Sequence, residues 1–143
     1  MNKHIDDNCI FCKLANGQIP TNSIYEDDDF KVILDAAPAA KGHAIILPKT
    51  HAANLFELPD EYGEKIFAIA KKCGKAIKET YDYDGLNVLQ NNGEAAGQTV
   101  MHFHMHVIPR YAGGEDMVSW DPKPAKREEL EKQGAKLREA LKD

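Results

Sequence analysis

Met101-His102-Phe103-His104-Met105-His106-Val107-Ile108-Pro109 is the stretch on which the reading of this chain turns. Three of the six histidines stand here, at every second position. Between and after them come Phe103, Met105, Val107 and Ile108. Period-two alternation with aromatic and β-branched filler predicts a strand. Alternate side chains of a strand share a face, so His102, His104 and His106 should point one way. Phe103, Met105 and Val107 should then enter the core. On a helix the same spacing would spread the imidazoles around more than half the circumference. Pro109 lacks an N–H and should end the strand or put it at an edge.

Three uses of such a face compete. One is a plain polar surface, against which three histidines in alternation tell. Another is a catalytic metal centre, which needs a further protein ligand and an open position. The last is nucleophilic and acid–base catalysis by imidazole itself, which is neutral and reactive near pH 7. The preceding loop, Asn91-Asn92-Gly93-Glu94-Ala95-Ala96-Gly97-Gln98-Thr99, bears on the choice. It is rich in small residues and amides and contains no Lys or Arg. Gly93 and Gly97 let the backbone approach a ligand, and successive N–H groups can form an anion nest. Asn91, Gln98 and Thr99 add neutral donors. A phosphate held in this loop would lie against the histidine face.

The run Gly97-Gln98-Thr99-Val100-Met101-His102-Phe103-His104-Met105-His106-Val107-Ile108-Pro109 resembles the signature of the histidine triad (HIT) nucleotide hydrolases and transferases. Loop, spacing and hydrophobic filler all match. The resemblance extends upstream through Ile10-Phe11-Cys12, Ile24-Tyr25-Glu26-Asp27, Leu34-Asp35 and Lys41-Gly42-His43. Beyond Arg110 it weakens. It implies that His104 is a nucleophile toward the α-phosphorus of a nucleotide, forming a nucleotidyl-imidazole intermediate. It also implies that Asp35 accepts the ribose hydroxyls and that His43 lies beside the triad. His106 would donate to a phosphoryl oxygen, and Thr99 and Gln98 would bond the phosphate or the bridging atom. A purine nucleotide, adenosine foremost, is the implied substrate, and a nucleoside monophosphate the product. The leaving group stays open between a phosphoramidate amine, a second nucleotide and pyrophosphate-linked groups.

Composition agrees with one soluble domain. The chain has 143 residues, 43% hydrophobic and 29% charged, enough for a real core. A net charge of −5 argues against a general nucleic-acid or membrane surface, while a locally cradled mononucleotide remains compatible with it. No apolar run is long enough to span a membrane and the amino terminus is no signal peptide, so a cytoplasmic location is expected. Three cysteines are too few and too odd for a disulfide scaffold.

Taken in order, Asp7 to about Ala15 predicts a short helix, capped by Asp7 or Asn8 and ended by Gly17. It carries Cys9-Ile10-Phe11-Cys12, whose sulfurs at i, i+3 share a side. The pair can be two small buried hydrophobes, a redox dithiol or half of a zinc site. A zinc site needs two more ligands, and His51 and His102 are available. In HIT relatives with this CxxC, zinc joins the cysteines to a mid-chain histidine and the first triad histidine. The resemblance therefore implies a structural Zn2+ on Cys9, Cys12, His51 and His102.

Ser23–Glu26 and Phe30–Leu34 predict a hairpin whose tip, Asp27-Asp28-Asp29, reads as solvated. A third strand is expected over His43–Pro48. Pro59–Thr80 predicts a long helix with an apolar stripe of Tyr62, Ile66, Ile69, Ala70, Cys73 and Ile77. Gly85–Gln90 predicts a fourth strand. The class is therefore α+β: an antiparallel meander of about five strands with packed helices. The domain should run over residues 1–143, with a core to 110 and a carboxy-terminal extension, 111–143, bearing a charged helix with a narrow leucine stripe. Exposed strand edges, and the pairing common in HIT relatives, lead us to expect a homodimer. Two rival functions remain: a metal-dependent hydrolase using the triad as ligands, and a nucleotide-binding protein with little turnover.

Overall fold

The computed structural model of the chain describes residues 2–115 and 119–142. Its elements are α1 (Ile10–Ala15), β1 (Ser23–Glu26), β2 (Phe30–Leu34), β3 (Ala44–Pro48), α2 (Asp60–Tyr81), β4 (Gly85–Leu89), β5 (Met105–Arg110) and α3 (Arg127–Ala140). The class is the expected one, with five antiparallel strands in one sheet. The order is β1-β2-β3-β5-β4, so the meander runs only through β3. The chain crosses by α2 to the far edge, lays down β4, and returns β5 into the gap. The histidine-bearing strand therefore has a neighbour on each side.

Alternation sorts the sheet residues between two cores. Phe30, Val32, Ala44, Ile46, Met105 and Val107 face α2 and meet its stripe of Tyr62, Ile66, Ile69, Ala70, Cys73 and Ile77. Each aliphatic side chain buried there contributes about 1.5–3 kcal/mol. Ile33, Ile45 and Leu47 take the opposite face and pack with Ala15, Phe11 and Leu14 of α1. His106 stands opposite Ile45 in the ladder, so it belongs to the α1 face. Gly42, at φ +90, leads into β3; a Cβ there would come within 3.0–3.2 Å of Ile77, Pro109 and Tyr81. Only glycine lets the chain pass this close to the end of α2.

Four sequence expectations need correction. The strand begins at Met105, so Met101–His104 lie outside the ladder. Opposite this segment β3 ends in Pro48, which has no N–H to give and whose carbonyl accepts from the His102 ring, and the Phe103 N–H donates to the Ala52 carbonyl at 2.7 Å. The two faces survive this change, because Phe103 still joins the α2 core. Next, α1 starts at Ile10 and is capped by Cys9, whose sulfur accepts from the Cys12 N–H, rather than by Asp7 or Asn8. The aspartates at the hairpin tip are also not all idle. Asp27 accepts from the N–H groups of Asp29 and Phe30 and from the Tyr25 hydroxyl. Finally, Pro109 neither ends the strand nor puts it at a sheet edge. Instead β5 runs to Arg110 between β3 and β4, with Pro109 opposite Leu86, and the missing N–H is tolerated because the β3 ladder has already stopped at Val107.

Candidate functional site

The segment from His102 to His106 serves two adjacent centres on the α1 face. In the first, Cys9, Cys12, His51 and His102 bring one ligand atom each to within 4.8 Å of the others. His102 Nδ1 lies 3.3 Å from Cys9 Sγ and 3.5 Å from Cys12 Sγ, and His51 Nδ1 lies 3.5 Å from Cys12 Sγ. Sulfur and nitrogen on one tetrahedral zinc, at about 2.3 and 2.0–2.1 Å from it, would stand about 3.5 Å apart. The His102 tautomer also fits. Its Nε2–H donates to the Pro48 carbonyl at 3.0 Å, which leaves the Nδ1 lone pair facing the sulfurs. Burial pushes the Cys12 thiol up to about 11 and the His102 imidazole down to about 4. Both groups are thus neutral near pH 7; a bound dication would displace the Cys12 thiol proton, whereas the His102 imidazole would coordinate through its lone pair with no proton lost.

The second centre faces a cleft of about 370 Å³ lined by Asp35, Thr99, His104 and His106, with apolar walls that include Phe11 and Leu14. The His104 Nδ1–H donates to the His102 carbonyl at 2.7 Å. The reactive lone pair is therefore on Nε2. Burial lowers the pKa of His104 further below its ordinary value than the His102 carbonyl and the Asp35 charge raise it. The neutral, nucleophilic form consequently dominates at pH 7.

His106 is held by a chain of directed hydrogen bonds. The Ala39 N–H donates to His43 Nδ1 at 3.0 Å, so the neutral His43 ring carries its proton on Nε2. That Nε2–H lies 2.9 Å from His106 Nδ1 and donates to it. The remaining His106 proton must then sit on Nε2, as a fixed donor. Burial, together with the neighbouring His104 and His43, lowers the His106 pKa to about 4. Asp35 Oδ2 lies 3.4 Å from His43 Nε2, while Oδ1 accepts from the Ala37 N–H. Asp35, His43 and His106 also cluster closely enough to suggest a metal. The tautomer argues against one, because His43 Nε2 holds a proton where a ligand needs a lone pair.

The loop is a folded brace more than an open nest. Glu94–Ala96 form a 3₁₀ turn, and the N–H groups of Ala96, Gly97 and Gln98 donate to carbonyls within the loop. The Gly93 N–H donates to the Gln98 side-chain oxygen. Gln98 is buried, and its amide nitrogen donates to the carbonyls of Ala53 and Val100. This side chain pins the loop and has no proton left for a ligand. Gly97, at φ +97, packs beside the Asn91 amide. Thr99 is the loop residue that reaches the cleft. Sequence reasoning missed Phe11, whose ring stands edge-on to His102 and His104 with centroids 6.0 and 4.9 Å away. An aromatic residue set between the two cysteines was the available signal.

Residues 16–113 match the family model described as HIT domain. The chain is 46% identical over 112 residues to the protein Hit of Bacillus subtilis, covering 78% of this chain and 77% of that protein. It is 42% identical over 139 residues to adenosine 5′-monophosphoramidase hnt1 of Schizosaccharomyces pombe, covering 94% and 98%. Among solved structures, a HIT family member from Bacillus subtilis superposes with a TM-score of 0.88 at 39% identity, over 96% of this chain and 99% of that one. A zinc-bound histidine triad protein from Mycobacterium smegmatis superposes with a TM-score of 0.72 at 37% identity, over 93% and 97%. With the sheet, the histidine-bearing segment and the family model in agreement, this chain belongs to the histidine triad family.

Proposed function

We propose that the protein hydrolyses adenosine phosphoramidates at the α-phosphorus by two displacements through His104. The observation that carries this is the His104 Nδ1–H bond to the His102 carbonyl, which leaves a neutral Nε2 lone pair in a cleft that also holds a His106 N–H. The relatives named adenosine 5′-monophosphoramidase support the substrate class.

In the first step His104 Nε2 forms a bond to phosphorus and the phosphorus–nitrogen bond breaks. The amine leaves with the bonding pair and takes a proton relayed by the Thr99 hydroxyl from cleft water. Developing charge on the phosphoryl oxygens is met by the His106 Nε2–H. In the second step water forms the new phosphorus–oxygen bond, His104 departs, and the proton lost by water neutralises the hydroxide left when cleft water gave its proton in the first step. The net reaction consumes one water and yields a nucleoside monophosphate and an amine. Asp35 binds the ribose hydroxyls and, through His43, steadies His106. Gln98, Gly97 and Asn91 hold the loop that presents Thr99. Splitting one hard displacement into two is what a nucleophilic imidazole contributes.

We assign a structural zinc to Cys9, Cys12, His51 and His102, supported by the donor set and by the zinc-bound relative. Four protein ligands close a tetrahedral ion and leave no position for substrate. Its contribution would be to anchor α1 to His102, two residues from the nucleophile.

A folded His104→Ala protein should keep nucleotide affinity within a few fold but lose about 10⁴-fold or more in kcat. Retained turnover would remove His104 as nucleophile. The pH profile supplies a second check. Because burial lowers the His104 pKa, the reactive neutral form persists below pH 6.5, and the acid limb of kcat/KM should lie under that value. An acid limb above 6.5 would mean that the nucleophile is not held neutral by burial. For the metal, Cys9→Ser with Cys12→Ser should abolish zinc in elemental analysis and lower Tm while activity falls only in part. An ion at a thousandfold its dissociation constant adds about 4.1 kcal/mol, or roughly 8–16 °C for a chain of this size. An unchanged Tm, or fast metal-reversible inactivation of the folded protein, would contradict a structural role.

A further inference from the structure

A second cleft, of about 480 Å³, opens on the other side of Thr99. Asp6, Asn8, Ile10, His51 and Met101 line it together with Thr99, the residue it shares with the cleft that holds His104 and His106. In the proposed reaction Thr99 stands beside the bond that breaks, so whatever the nitrogen carries must extend past it. The second cleft is where that substituent would lie.

Its chemistry is selective. The described lining contains one carboxylate, Asp6, and no Lys or Arg. The Asp6 side chain is 41% exposed. Its Oδ1 accepts from the Asn8 N–H at 2.8 Å, which fixes the carboxylate in a turn. Oδ2 lies 4.0 Å from His51 Nε2, too far for a full hydrogen bond, and so keeps acceptor capacity. Ile10 and Met101 are each about half exposed, at 50% and 49%, and offer apolar surface on the way in. Closing the proposed metal site would not offset the carboxylate, since two thiolates balance a zinc dication. A second nucleotide would bring polyphosphate charge toward Asp6 with no cation to meet it. An amine with an apolar stem and a distal positive charge meets both surfaces.

We propose that this cleft is the leaving-group subsite, and that Asp6 selects phosphoramidates whose amine carries a cationic centre at the end of a short apolar stem. The inference rests on the phosphoramidase reading and deepens it. Asp6 is a specificity residue here, remote from the reacting atoms.

The test compares adenosine phosphoramidates made with aminobutyl amine, with pentyl amine and with ammonia. The tails of the first two have similar length and differ in terminal charge. The quantity read is the ratio of kcat/KM for the aminobutyl over the pentyl compound, which cancels any general effect of a substitution. In the unaltered protein this ratio should be about three to ten and should shrink as salt is raised. Asp6→Asn should bring it close to one. Met101→Lys, in the same lining and half exposed, should bring it below one, and serves if the Asp6 variant does not fold. A ratio near one in the unaltered protein, with the ammonia compound cleaved, overturns the subsite and leaves the phosphoramidase reading standing. No cleavage of the ammonia compound overturns both. Diadenosine polyphosphate cleaved faster than the aminobutyl compound would also overturn the subsite.

Discussion

The hydrogen bond from His104 Nδ1–H to the carbonyl of His102 is the constraint on which the site depends. A carbonyl in the middle of a regular ladder is already committed to a neighbouring strand. The His102 carbonyl is free because β5 has not yet begun; the ladder starts three residues later, at Met105. Pro48, at the end of β3, brings no N–H to that place, and its own carbonyl takes the His102 Nε2–H. Two carbonyls at the frayed end of a sheet thus set the tautomers of two imidazoles. His102 is left with a lone pair on Nδ1 and His104 with one on Nε2, so they present opposite nitrogens to different tasks.

Burial completes what the hydrogen bonds begin. His102, His104 and His106 all have lowered pKa values, with burial as the leading cause. Three imidazoles this close would repel one another if charged, and the fold holds them neutral by keeping water away. The energetic cost falls on the protein, since the unfolded chain would bind protons at these positions between about pH 4 and 6.5. Stability should therefore be fully present above that window and decline as pH falls through it. The β-sheet can bear this because its other face carries the larger apolar core, built by Phe103, Met105 and Val107 from the same stretch against α2.

Much of this was legible in the sequence, and the misses share a cause. Alternation named the two faces of the histidine segment correctly, and helical spacing named the buried stripe of α2 except Gly74. Cys9, Cys12, His51 and His102 were grouped from donor chemistry and family likeness, and they do converge. What alternation does not carry is which backbone groups are paired. The segment from Met101 to His104 has the side-chain pattern of a strand without its ladder, so its end was misplaced. Gln98 looked like a ligand donor because its amide is polar; only the three-dimensional structure reveals that both ends are spent on the backbone. The insertion of β5 between β3 and β4 was also hidden, since short connections suggested sequential neighbours and α2 carried the chain across instead. Asp6 and Phe11 went unread because each takes its meaning from a residue far along the chain.

The central claim is that His104 takes the nucleotide covalently before water does. Stereochemistry at phosphorus tests this most directly, since each in-line displacement inverts the centre. An adenosine phosphoramidate made chiral with sulfur at the α-phosphorus would be hydrolysed in oxygen-18 water and the configuration of the product determined. Two displacements predict overall retention. Overall inversion would mean that water attacks phosphorus in a single step, as a metal-activated hydroxide would, and would contradict the nucleotidyl-histidine account.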